Sequence, residues 1–190
     1  MTAYRRNLIL CLLLSWSTIA CSNELTGEKD AVLKRDARNE VVDFTLTSKD
    51  DGLVFCLNKL SGNASAMDVF RVFLHSAEEL KDRKFKNVEL CFRNETKFIL
   101  GGDDFTLMGK EFETQNPLYT IRTFPEKLAL PDGKAAYETH RGGVLYLMQA
   151  QMADFQDMNG KWFLNELAAE EKAKTDALRP TEFATENDAL

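Results

Sequence analysis

The chain has 190 residues, with 24 Lys and Arg against 30 Asp and Glu, a formal charge of −6. That length suits one folded domain with short ends. The acidic balance argues against nucleic acid and anionic lipid as partners, since both need a Lys/Arg footprint.

The chain opens MTAYRRNLILCLLLSWSTIACS. Arg5 and Arg6 supply positive charge ahead of an apolar run from Leu8 to Ala20. That run is shorter than the roughly 20 residues a transmembrane helix needs. It suits the core of a secretory signal peptide. Thr18-Ile19-Ala20-Cys21 resembles the lipobox of bacterial lipoproteins, with Thr18 where Leu is usual. The resemblance implies cleavage before Cys21 and lipid attachment to its thiol. An ordinary secretory cut near Ala20 and an uncleaved anchor are the alternatives. Arg5-Arg6 matches a twin-arginine signal only loosely. Ser22 follows the cysteine, and similarity to enterobacterial sorting signals then implies the outer membrane. With Arg5 and Arg6 removed, 22 basic residues face 30 acidic ones, a charge of −8.

Residues 21–40 carry mixed charge and few large apolar side chains, so they read as a tether with room for a short helix. Val41 to Thr47 alternates as a strand. Asp50-Asp51-Gly52 reads as a turn, and Leu53 to Leu60 fits either a strand or a short helix. Met67, Phe70, Phe73, Leu74, Ala77 and Leu80 recur at helical spacing through about Asp82, behind a Ser65/Asp68 capping pattern. Val88, Leu90 and Phe92 alternate, Asn94-Glu95 turns, and Lys97 to Leu100 returns as a hairpin. Asp103 opens a helix to about Glu113. Leu118 to Phe124 leans to a helix, with Asn116 as cap and Pro117 in its first turn. After Gly143, the residues Leu145, Met148, Met152, Phe155, Met158 and Trp162 trace one apolar stripe, predicting a helix over 144–167. Residues 168–190 read as a charged helix end and a disordered tail.

These elements predict an α+β fold: a small antiparallel sheet packed against two main amphipathic helices, in one domain over 41–167. Cys11 leaves with the signal peptide, and Cys21 is the candidate for lipid attachment. Cys56 and Cys91 remain, either as one disulfide or as two buried thiols.

Gly101-Gly102-Asp103-Asp104-Phe105 resembles the GG[D/E]EF signature of diguanylate cyclases over five residues only. The adjoining TLMGKEF stretch reads as a helix where that family has a strand, and two glycines ending a strand explain the motif without nucleotide. Gly109-Lys110 lacks the Ser or Thr of a P-loop. His75 and His140 have no metal-ligand spacing with each other or with cysteine, so no metal or cofactor is expected. His75 reads as packing or surface, and His140 beside Arg141 is the candidate acid/base group. Gln115, Asn116, Tyr119 and Arg122 set polar groups among aromatics and are candidate binding residues, or else serve caps and ion pairs. The blocks KFILGGDDFTLMGKEFETQNPLYTIRTFPEKL and GGVLYLMQAQMADFQDMNGKWFLNEL resemble a family of small uncharacterised bacterial proteins over residues 65–167. That resemblance implies one globular domain and carries no activity, cofactor or partner.

The sequence thus points to a membrane-anchored envelope lipoprotein, held at the outer membrane facing the periplasm and acting as a non-catalytic binding or interaction module. The alternatives are an envelope hydrolase using Arg122 and His140, or an assembly chaperone of an outer-membrane machine. The expected partners are the membrane, through the lipid, and an envelope protein.

Overall fold

The structure is a computed structural model that describes residues 22–178. Cys21 and the signal segment lie outside the described residues, as does the tail beyond Leu178. The sheet has six strands in chain order: β1 (Ser22–Glu24), β2 (Val42–Lys49), β3 (Gly52–Leu60), β4 (Asn87–Phe92), β5 (Glu95–Gly101) and β6 (Leu128–Ala129). All neighbours are antiparallel except β3 and β4, which are parallel. Helix α2 (Ala66–Glu79) makes the crossover that a parallel pair requires. The α+β class holds, but the sheet is larger than expected and not purely antiparallel, and more than two helices pack on it.

Strand alternation puts Phe44, Leu46, Leu53, Phe55, Leu57, Val88, Leu90 and Phe92 on one face, all fully buried. The opposite face carries half-buried Thr45, Thr47, Val54, Asn58 and Glu89 around Cys56 and Cys91. Strand β3 is ambiguous in sequence because both of its faces are apolar. Both tight turns are built on left-handed pairs, Asp50 (φ 46°) and Asp51 (φ 63°), then Arg93 (φ 49°) and Asn94 (φ 70°). These are the positive angles of a two-residue hairpin loop. The second turn therefore sits one residue earlier than Asn94-Glu95.

Ser65 starts α2 with a full capping box. Its hydroxyl accepts from the Asp68 N–H, and its own N–H donates to the Asp68 carboxylate. Phe70 and Phe73 project from α2 into an aromatic cluster with Phe55, Phe105, Phe124, Phe155 and Trp162, at centroid separations of 5.1–6.5 Å.

The segment expected to be a tether is part of the fold. Its strand β1 pairs with β2, and its helix α1 (Thr26–Arg35) packs on α2. Leu25 and Val32 are buried in the core. Leu33 and Val41 pack half-buried against it, and polar contacts add to this hold: Asn39 is fully buried, and Arg71 of α2 donates to the Asn39 side chain and to the Arg38 carbonyl.

The C-terminal helix covers the predicted 144–167 and runs on into the expected charged helix end, as far as Leu178. Helix α5 (Val144–Asn159) continues through a wide π-turn at Gly160–Leu164 into α6 (Asn165–Leu178). In a regular helix, adjacent residues diverge around the axis. Both Trp162 and Phe163 are nonetheless fully buried, and the π-turn lies where both face inward. Helix α6 fully buries none of its own side chains; Leu167 packs half-buried against the core, and Lys97–Glu166 and Arg93–Glu170 ion pairs join the helix to the β4–β5 hairpin.

Candidate functional site

Helix α3 (Gly102–Glu111) begins directly after β5, so the Gly101-Gly102 pair ends a strand and starts a helix. A Cβ on Gly102 would collide with the Phe85 carbonyl, and one on Gly109 with the Ala77 carbonyl. Both glycines therefore serve close backbone packing of α3. Asp103 and Asp104 lie in the first turn of α3, where the helix macrodipole favours acids, and Asp104 pairs with Lys127.

Helix α4 (Pro117–Thr123) follows the expected cap. The Asn116 side chain accepts from the Leu118 N–H at 2.9 Å, and Pro117 stands in the first turn. The Gln115 side-chain oxygen accepts from the Asn116 N–H at 3.0 Å.

A cleft of about 380 Å³ opens between α3, α4 and the chain beyond them. Leu107 and Met108 supply its apolar wall, and Gln115, Tyr119, Thr120 and Thr123 line the α4 side. Glu111, Glu126, Lys127 and Thr139 complete it. Of the four candidate binding residues, the structure brings Gln115 and Tyr119 into this cleft. Asn116 is occupied by its cap, and Arg122 is not among the lining residues. The Arg122 Nε is buried with no hydrogen-bond partner among the described residues. Tyr119 is half exposed and engages no side chain through its phenol among the described residues.

One side of helix α5 fastens the 126–140 segment. Gln151 donates to Glu126 at 2.7 Å, Asp154 lies 2.6 Å from His140 Nε2, and Asp157 accepts from the Tyr137 hydroxyl at 2.8 Å. Lys161 completes the row by pairing with Asp157. Burial raises the Tyr137 phenol well above its ordinary value, and the hydrogen bond to Asp157 adds to this. The Lys161 ammonium beside Asp157 holds that carboxyl below the usual range. Sequence reasoning passed over Asp154 and Asp157. Their signal was the Gln151, Asp154, Asp157, Lys161 spacing, a polar stripe at helical period beside the apolar one.

His140 is thus an oriented imidazole held by a carboxylate. His75 belongs to a separate buried network. Asn39 Nδ2 lies 2.8 Å from His75 Nδ1 and 2.7 Å from the Val32 carbonyl, and Arg71 Nε donates to Asn39 Oδ1 at 3.0 Å. With the amide oxygen facing Arg71, His75 Nδ1 must accept, which leaves the proton on Nε2. Burial lowers the His75 basicity, and the nearby Arg35 charge adds to it. The unfolded chain then binds a proton that the folded chain refuses. This contribution to stability is fully present above the ordinary value of 6.5 and is lost progressively as pH falls from there through the lower value of the folded protein. His75→Gln, which keeps an acceptor but cannot titrate, is expected to lose less stability than the parent between about pH 8 and about pH 5, read from urea midpoints. Equal losses in both proteins would sink this assignment.

Cys56 and Cys91 stand directly opposite each other on β3 and β4, with Cα atoms 4.4 Å apart and their sulfurs bonded. No group of three His, Cys, Asp or Glu among the described residues could hold a metal ion. Comparison with protein-family models, with curated proteins and with solved structures finds no match.

Proposed function

We propose that this protein is a lipid-anchored component of the bacterial envelope, held through Cys21 at the outer membrane and facing the periplasm, whose domain acts as a binding module through the α3–α4 cleft. The anchor rests on the charged start, the short apolar run and the small residues before Cys21. The observation that carries the binding reading is the cleft itself, with exposed Tyr119 at its edge and hydroxyl and amide groups facing an apolar wall. Its carboxylates, Glu111 and Glu126, are joined by a single cation, Lys127, which Asp104 already neutralises. That charge favours a ligand bearing amine and hydroxyl groups, such as a peptide segment.

Two experiments test this. Cys21→Ser is expected to abolish incorporation of labelled palmitate and to release the protein from membranes. Unchanged labelling would refute the anchor. A benzophenone amino acid in place of Tyr119 is expected to give a discrete crosslinked adduct in intact cells, with none from the same group at Asn94. The reverse pattern would move the binding surface elsewhere, and an outer-membrane protein in the adduct would favour the assembly-chaperone role.

A second reading is an envelope hydrolase, favoured by the His140–Asp154 pair. A carboxylate that orients an imidazole is the arrangement of a general base. The geometry would assign the proton transfer to His140, with Arg122 not in contact with it through any described hydrogen bond. Loss of a hydrolytic activity in a folded His140→Ala protein would select this reading over the binding module.

A further inference from the structure

The order of the first described residues bears on how the domain meets the membrane. Ser22 already pairs with Lys49, Asn23 with Ser48 and Glu24 with Thr47, and the Leu25 N–H donates to the Leu46 carbonyl. Ser22, the residue next to Cys21, is therefore already held in the sheet. Consecutive Cα atoms are only about 3.8 Å apart, so an acyl group on Cys21 has no spacer to the sheet.

The pairing also says which end of the domain receives the anchor. Ser22 lies opposite the last residue of β2, next to the Asp50-Asp51 turn. The Lys86 N–H donates to the Asp51 carbonyl at 2.8 Å, which brings the loop between α2 and β4 to the same end. Lys49, Lys84 and Lys86 are exposed there beside Asp50, Asp51, Asp82 and Asp103, the last brought in by the Gly102 N–H donating to the Lys86 carbonyl, and Arg83 is paired with Glu28. Three lysines thus face four aspartates, one excess negative charge, against eight in the whole processed chain. This end can approach headgroup phosphates with less repulsion than the whole-chain charge would impose.

We propose that the domain seats directly on the lipid headgroup layer through this end, with the β2–β3 turn and the 82–86 loop against the bilayer and the β4–β5 turn pointing away. The proposal rests on lipid attachment at Cys21. It makes β1 the device that fixes orientation: three backbone-paired residues convert a flexible anchor into a fixed one. It also holds the α3–α4 cleft at a constant height above the membrane instead of letting it swing on a tether.

The test uses the full lipidated chain purified from membranes and reconstituted in phosphatidylethanolamine–phosphatidylglycerol vesicles. A nitroxide is placed at Lys84→Cys or at Glu95→Cys, two exposed sites near opposite ends of β4, and collision with a headgroup-anchored nickel chelate is measured. Accessibility is expected to be several-fold greater at position 84 than at position 95. A flexible Gly/Ser spacer inserted between Cys21 and Ser22 is expected to erase most of that difference while leaving palmitate uptake intact. A chain that takes up palmitate but shows equal accessibility at both sites, or greater accessibility at 95, overturns the seat and leaves the anchor standing. A chain that takes up no palmitate overturns the anchor, and the seat with it.

Discussion

Trp162→Ala is expected to lower the free energy of unfolding by about 3–5 kcal/mol, the range for losing a large aromatic side chain from a core. Trp162 is fully buried, and its ring lies 6.0 Å from Phe55, 6.5 Å from Phe73 and 5.7 Å from Phe163. It therefore joins strand, crossover helix and C-terminal helix at one point. Its indole N–H donates to the Cys91 carbonyl at 3.1 Å. That carbonyl sits where the β4–β5 register slips, with Leu90 opposite Phe98 and Cys91 opposite Thr96. Removing the ring opens a cavity and leaves a buried acceptor unpaired, and the two losses add. Trp162→Phe keeps most of the apolar contact and loses the hydrogen bond, so about 1–3 kcal/mol is expected. Urea unfolding followed by circular dichroism reads both. If the two variants unfold at the same midpoint as the parent, Trp162 is not the keystone of this core.

How legible such a contact was in the sequence depends on what kind of regularity carries it. Hairpin β4–β5 was legible because Val88, Leu90 and Phe92 face one way and Glu89 and Cys91 the other. Helix α2 was legible through its stripe and its Ser65/Asp68 box. Both signals come from local periodicity. The π-turn was not legible, because Trp162 and Phe163 are neighbours in sequence and no regular period buries both. The first segment was misread for a different reason. Residues 22–41 hold too few apolar side chains to score as structure. What adds to the hold of those few is backbone pairing to β2 and the Asn39, Arg71 and Asp36 polar contacts, which join residues 32 to 36 positions apart. The parallel β3–β4 pair is likewise a long-range contact that no local pattern announces.

The candidate site divides in the same way. Asn116 and Pro117 announce a helix start by local rule, and the structure uses them so. Gln115 and Tyr119 reach the cleft because α4 is short and its first turn faces α3. Glu111 and Glu126 complete the cleft from two other elements, fifteen positions apart in the chain. Single carboxylates in charged stretches give no sign of converging. His140 read as a loop histidine, and its meaning changes only because Asp154, on the far side of the Gly142-Gly143 break, comes back to it.

Removing the Cys56–Cys91 link is expected to cost roughly 4 kcal/mol, from the chain entropy of freeing a 35-residue loop, with about 2 kcal/mol as the lower bound for native bridges of this kind. The bridge closes the loop that contains α2, and it joins the one parallel pair in the sheet. That pair cannot form until the whole crossover is in place. The covalent link removes much of that search from the unfolded chain. A Cys56→Ala/Cys91→Ala protein is therefore expected to melt well below the parent, and reductant should lower the parent to nearly the same temperature while leaving the double variant unmoved. Thiol labelling of denatured, unreduced protein should find no reactive Cys56 or Cys91. Two labelled thiols there, or a parent indifferent to reductant, would show that the strands hold without the bond. Trp162 reaches the carbonyl of Cys91 from the opposite face of the same strand, so the two losses should not be independent. Combining Trp162→Phe with the double alanine variant is expected to depart from additivity by about 0.5–3 kcal/mol, the range for groups that share a partner. Simple additivity would mean that β4 transmits nothing between its two faces.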